Sequence, residues 1–102
     1  MTAEAIVQRQ LDAYNAKYIE ALMSTYAAEA EHFEHPAKLL ASGTVQIRER
    51  FLARFKEPNL FAELVQRIVA GNTVIDHELV TRTFAEGTGR LELIAIYEVV
   101  SG

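Results

Sequence analysis

The sequence predicts an α+β domain in which N-terminal helices pack on one face of a curved antiparallel sheet. Before Pro58, apolar residues recur mainly at spacings of three and four. After it, the segments are rich in Val, Ile, Leu, Thr and aromatics and alternate with a period of two. Gly71-Asn72 and Glu86-Gly87-Thr88-Gly89 punctuate that second part as turn-forming clusters. Helices first and a meander afterwards segregate the two kinds of element, which defines the class.

Thr2 is a candidate cap for a helix whose first turn carries Glu4. Ala3, Ile6, Val7, Leu11 and Tyr14 give that helix an apolar stripe over about thirteen residues. Asn15 and Lys17 interrupt it, and Ile19, Leu22, Met23 and Tyr26 start a second, short helix. From Ala30 the period becomes two, and Pro36 ends the segment because it has no N–H for a sheet ladder. Ala37 to Gly43 reads as a loop, and Thr44 caps a third helix through Ile47, Phe51, Leu52 and Phe55, which Pro58 and Asn59 stop. Strands follow at Phe61 to Ala70, Thr73 to Phe84 and Arg90 to Val100.

Alternation assigns the faces. In the last strand Leu91, Leu93, Ala95, Tyr97 and Val99 form the row expected to meet the helices. In the strand before it, Ile75, His77 and Leu79 alternate with Asp76, Glu78 and Arg82, which places His77 inward. Glu31, Phe33 and His35 share one face of the first strand, taken as the inner one. Both rows of Phe61 to Ala70 mix apolar and polar residues, and its facing stays open.

The chain of 102 residues is expected to form one domain over its whole length, large enough to bury roughly 65% of the area its unfolded form exposes. It has no cysteine, so disulfides, thiolate metal sites and a cysteine nucleophile are excluded together. A net charge of −4 argues against neutralising a phosphate backbone, so no nucleic-acid partner is expected. No apolar run approaches the roughly 18 residues needed to cross a bilayer, and Met1 to Leu11 lacks the pattern of a signal peptide. A cytoplasmic protein that meets no membrane is the expectation. Glycine-rich phosphate loops, dinucleotide fingerprints and the G-x-S-x-G elbow are all missing.

Several short strings carry a resemblance: Leu11-Asp12-Ala13-Tyr14-Asn15-Ala16, Tyr26-Ala27-Ala28-Glu29-Ala30, Glu34-His35-Pro36, Gly43-Thr44-Val45-Gln46-Ile47-Arg48 and Ile96-Tyr97-Glu98-Val99. In this order they resemble the nuclear transport factor 2-like superfamily, in its SnoaL-like and ketosteroid isomerase branches. The resemblance implies a cone, a cystatin-like α+β roll with a strongly bent sheet around the helices, a ligand pocket at the wide end and a homodimer or other homo-oligomer through the outer sheet face. Ketosteroid isomerases place an Asp base before a proline in the first strand, where His35 precedes Pro36. Their oxyanion-binding pair aligns with Gln10 and Ala95, and a supporting Tyr aligns with Phe51, so the electrophilic half of that chemistry is absent. Losing one such donor typically costs about 10²-fold or more in rate. Members also continue past the position of Ser101-Gly102 with a further strand. Either the sequence is truncated there, or it leaves an open sheet edge to be covered by swapping, by a partner or by rearranged pairing.

His35 is therefore the candidate catalytic base, since an imidazole near its ordinary pKa exchanges protons at neutral pH. A structural histidine satisfied by a carbonyl or carboxylate is the plainer reading. Tyr14, Phe33, Phe51 and Tyr97 are candidates to line a cup for a small, largely apolar or carbonyl-containing molecule, with His77 orienting it. As plain core residues they would need no ligand. His32 and His35, three apart on a strand, project to opposite faces and cannot share one ion. A set of His35, His77 and Glu31 is conceivable, but no helical ligand spacing supports it, and neither metal nor cofactor is expected. Arg48, Arg50, Arg54 and Lys56 make the third helix locally basic, which either attracts an anionic ligand to the cone mouth or forms a solvated face. The functional expectation is ligand binding with isomerase- or cyclase-type proton transfer. The alternative is a non-catalytic binding or dimerisation module.

Overall fold

The computed structural model describes residues 2–35 and 37–100; Pro36 and the Ser101-Gly102 end, on which two expectations rest, lie outside them. Helix α1 runs Ala3–Ala16, and the Thr2 hydroxyl accepts from the Ala5 N–H at 3.1 Å, as an N-cap should. It ends on Lys17 in the left-handed region (φ 56°), where the Lys17 and Tyr18 N–H groups return to the Tyr14 and Ala13 carbonyls. Lys17 is held there by its ammonium, which donates to the Glu57 carbonyl at 2.6 Å. Helix α2 spans Ile19–Met23.

Next comes a hairpin, β1 (Glu31–Glu34) with β2 (Lys38–Ser42), followed by α3 (Gly43–Arg54). Strand β2 lies in the Ala37 to Gly43 stretch that reads as a loop, because its short Lys-Leu-Leu-Ala-Ser run carries no alternation of its own. Pairing with β1 makes it a strand. Ser42, not Thr44, stands at the N-cap of α3. The remaining strands, β3 (Phe61–Ala70), β4 (Thr73–Phe84) and β5 (Gly87–Glu98), form a curved antiparallel meander in the order β3-β4-β5. Two-residue turns join them, Gly71-Asn72 between Ala70 and Thr73 and Ala85-Glu86 between Phe84 and Gly87. Strand β5 thus starts three residues before the expected Arg90. A bulge between Leu64 and Gln66 bends β3.

The core has two parts. Leu11, Leu60, Ala62 and Val80 pack with Tyr14, Phe55, Leu64 and Leu91, while Ala3, Val7 and Val74 pack with Tyr97 and Val99. The Asn15 carboxamide acts as a strand neighbour to β3, its Nδ2 donating to the Ala62 carbonyl (2.9 Å) and its Oδ1 accepting from the Ala62 N–H (2.8 Å). Among the described residues no helix is long and apolar enough to cross a membrane.

Candidate functional site

The register of the hairpins decides which residues enter the concave face. Directly paired residues of adjacent strands point the same way, and Val74 pairs with Tyr97, Asp76 with Ala95, Glu78 with Leu93 and Val80 with Leu91. The inward assignment of the β5 row agrees with this. For β4 it requires a correction, because the inner row is Val74, Asp76, Glu78 and Val80, all buried, and not Ile75, His77 and Leu79. His77 faces outward, where its Nε2 lies 2.7 Å from Glu92 Oε2 on the exposed side of the sheet. Two buried valines set the phase, and the acidic residues between them follow.

A second correction concerns β1, whose alternation is unbroken, the register shift beside it leaving out Leu40 of β2, but whose inner residue is His32 and not Phe33. His32 turns inward, its ring centroid 5.3 Å from Tyr26 and 5.5 Å from Phe51. Burial, with Arg50 adding to it, pulls its pKa down, so the ring is neutral at pH 7. Phe33 is 55% exposed, and His35 is exposed on the turn after β1. The structure therefore brings Tyr14, Phe51 and Tyr97 to the interior and leaves Phe33, His35 and His77 outside it. Tyr14 packs edge-on against Phe51 (5.9 Å) and Phe55 (5.7 Å).

At the middle of the concave face the expected apolar cup is instead ionisable. Asp76, with no exposed surface, is held by Arg67 through Nε–Oδ1 (2.7 Å) and Nη2–Oδ2 (2.9 Å), and Arg67 Nη1 donates to Gln8 Oε1 (2.9 Å). Glu78 is 4% exposed, and no hydrogen bond among the described residues reaches it. Burial pushes its carboxyl up to about 7, the Asp76 charge adds to the push and Arg67 opposes it. Three phenols stand in its field. Burial raises the pKa values of Tyr14, Tyr26 and Tyr97, and the negative charge of Glu78 raises each further, so all three stay protonated. Gln10 links two of them, its Nε2 donating to Tyr26 Oη at 3.5 Å and its Oε1 accepting from Tyr97 Oη at 3.4 Å.

The result is a carboxyl poised near neutrality among proton-donating hydroxyls, the arrangement general acid–base chemistry requires. Helix α1 covers β3 and β4. At Leu93, the residue paired with Glu78, the concave face is 43% exposed, so the carboxyl borders an open apolar margin. Two surface depressions lie elsewhere. One, of about 260 Å³, is lined by Arg50, Ala53, Arg54, Glu57 and Arg82; the other, of about 300 Å³, by Arg9, Asp12, Ala13, Ala16, Tyr18 and Ala21. Neither touches Glu78. Among the described residues no three His, Asp or Glu side chains are grouped to hold a metal ion.

Sequence reasoning passed over Glu78 because hydrophobicity alone assigned the faces of β4. The signal was present in the turns. A two-residue Ala85-Glu86 hairpin pairs Tyr97 with Val74 and, two residues on in each strand, places Asp76 and Glu78 inside.

Fold and site together define a small α+β cone with buried acid–base residues on its concave face. The chain belongs to the SnoaL-like domain family, whose model matches residues 7–102. Among solved structures, an uncharacterised cystatin-fold protein from Novosphingobium aromaticivorans superposes with a TM-score of 0.90 at 21% identity, covering 98% of this chain and 90% of that one. A proposed polyketide cyclase from Sinorhizobium meliloti gives 0.80 at 22% identity, over 96% and 86%. A protein of ketosteroid isomerase-like fold from Catenulispora acidiphila, in complex with trimethylamine, gives 0.79 at 16% identity, over 98% and 78%. At these identities the likeness is one of fold, the nuclear transport factor 2-like cone. A comparison with curated proteins finds no match.

Proposed function

We propose that the chain is one domain that binds a small carbonyl-containing molecule on its concave face and moves a proton on it without a cofactor, with Glu78 as the base. The buried Glu78 carboxyl, unpaired among the described residues and with a pKa of about 7, is what supports this reading. In the forward step a C–H bond alpha to the carbonyl breaks, its proton passes to Glu78, and the electron pair moves through the new C=C bond onto the carbonyl oxygen. Tyr26 accepts from Gln10 and keeps its own O–H free, among the hydrogen bonds of the described residues, to donate to that oxygen. Glu78 then returns the proton at a conjugated carbon, which balances an isomerisation or the proton transfers of a cyclisation. Leu91, Leu93 and Ala95 offer the apolar margin along which the rest of the ligand lies. His35, exposed on its turn, takes no part in this reading.

Deuterium exchange at the alpha carbon of 2-cyclohexenone, followed by NMR, tests it. The protein should accelerate exchange, E78Q should lower the acceleration by about 10² or more, and H35A should leave it unchanged. Equal exchange by E78Q and the unsubstituted chain would sink the assignment.

A second reading, a ligand carrier without chemistry, is favoured by the absence of Glu78 from both depressions. It expects the enone to bind and to come back unexchanged. Under either reading we propose a homodimer through the outer sheet face. Ile68, Ile94 and Ile96 are each more than half exposed on that one face, the kind of apolar cluster that marks protein–protein contact.

A further inference from the structure

We infer that the depression between α3 and the end of β4 binds a compact oxyanion, the carboxylate or phosphate group of a small ligand, at a site separate from Glu78. Three guanidinium groups line it from two elements, Arg50 and Arg54 one turn apart on α3 and Arg82 on β4, against a single carboxylate, Glu57.

That carboxylate is fully engaged. Both Glu57 oxygens accept from Arg82 Nε (3.0 and 3.1 Å), Oε2 also accepts from Arg82 Nη2 (2.7 Å), and Oε1 takes the Thr83 N–H (3.0 Å). Its lone pairs are consumed in fixing Arg82, which is further steadied 5.9 Å above the Phe84 ring. Arg54 Nε is left 3.7 Å from Glu57 Oε2, beyond hydrogen-bond reach, and Arg50 has no ion pair among the described residues. Three guanidinium charges against one carboxylate leave a net charge of +2 lining one concave spot of a chain whose net charge is −4, even with the long ion pair of Arg54 to Glu57 counted.

Such a concentration is local, because the chain as a whole repels anions. Guanidinium groups present planar forks of N–H donors that match the oxygens of carboxylate and phosphate. A volume of about 260 Å³ falls below the usual span for a whole ligand pocket, so the depression suits an anionic head group with the remainder outside it. Glu78 does not line this depression, and the buried Val80 stands between it and Arg82 along β4. The basic stretch of the third helix thus has a structural use on the face that holds Arg50 and Arg54.

The test titrates sodium phosphate and, separately, sodium benzoate into the protein at constant ionic strength, following the arginine Nε–Hε resonances by NMR and the heat by calorimetry. Saturable shifts confined to Arg50, Arg54 and Arg82 are expected, weakened about tenfold or more in R50Q/R54Q and unchanged in R90Q, which removes a cation from the opposite face of the sheet. The tighter of the two probes names the head group. Should the double variant fail to fold, R50Q alone, at an exposed position, should weaken binding at least threefold. Shifts that do not saturate, that spread over all cationic residues, or that survive R50Q would overturn the inference. E78Q should bind both probes as the unsubstituted chain does, so loss of exchange chemistry and loss of this site are separable results.

Discussion

Arg67 closes on Asp76 through two parallel hydrogen bonds, while Glu78, two residues further along the same face of β4, accepts no hydrogen bond from a cation among the described residues. Both carboxyls are buried on the same row of β4. Glu78, without such a partner among the described residues, is left to exchange a proton near neutrality.

The pairing sets both stability and proton affinity. Removing one partner of a buried pair strands the other charge, which typically costs about 3–5 kcal/mol. R67Q and D76N should each lower the melting temperature by more than 10 °C. Their effects on Glu78 should be opposite. D76N removes a negative neighbour and lowers the Glu78 pKa, whereas R67Q removes a positive one and raises it. Carboxyl ¹³C NMR titration reads both, and a shift of the same sign in the two variants would contradict the arrangement.

Glu78 also imposes a pH dependence on stability. Its folded-state value of about 7 lies above the ordinary 4.5. The folded chain therefore keeps a proton that the unfolded chain has already lost between those values. Its contribution is full below about pH 4.5, declines as pH rises, and is gone above about 7. E78Q should melt several degrees higher than the unsubstituted chain at pH 8 and close to it at pH 4.5. Thermal scans across that window check the sign, and an E78Q chain that is less stable at pH 8 would count against a strained, neutral-preferring carboxyl.

Glu57 behaves in the reverse sense. Arg82 and the Thr83 N–H hold its pKa down to about 2, against the penalty of burial. Its stabilisation is complete above about pH 4.5 and is lost as pH falls towards 2. E57Q should be several degrees less stable at pH 7, with a shallower acid limb between pH 4.5 and 2. Circular dichroism melts over that range measure it, and identical acid limbs would show that Glu57 is not the titrating group.

The outer sheet face makes its own demand. Ile94 and Ile96 stand on one side of β5 with Ile75 of β4 paired to Ile96, and Ile68 of β3 pairs with Ile75. Replacing Ile96 by Lys places a charge in the middle of this patch and should convert a dimer to a monomer in analytical ultracentrifugation, with the melting temperature falling as the interface is lost. A chain that sediments as a monomer before substitution would remove the basis for this expectation.

How far the sequence reveals the molecule depends on which physical signal each residue carries. The Thr2 cap, the α1 stripe and the Gly71-Asn72 turn are local, and the structure has them where the sequence places them. The facing of β4 is not local, because Ile75 and Leu79 are apolar for the outer surface while Asp76 and Glu78 are acidic for the inside. Hydrophobic alternation then points the wrong way for His77. In β1 the inner row is likewise the one alternation did not favour: His32 faces in, and His35 is exposed on the turn. Pairing with β5 resolves the facing of β4, and the packing of His32 against Tyr26 and Phe51 resolves that of β1.

The clasp between Asn15 and Ala62 bears on how the meander meets other chains. A segment trying to lengthen the sheet beyond β3 would need the amide hydrogen and carbonyl oxygen at Ala62, and both are already occupied by a side chain from the first helix. Fibril growth by strand addition at this margin would first have to peel that helix away, so the end of α1 acts as a guard against polymerisation.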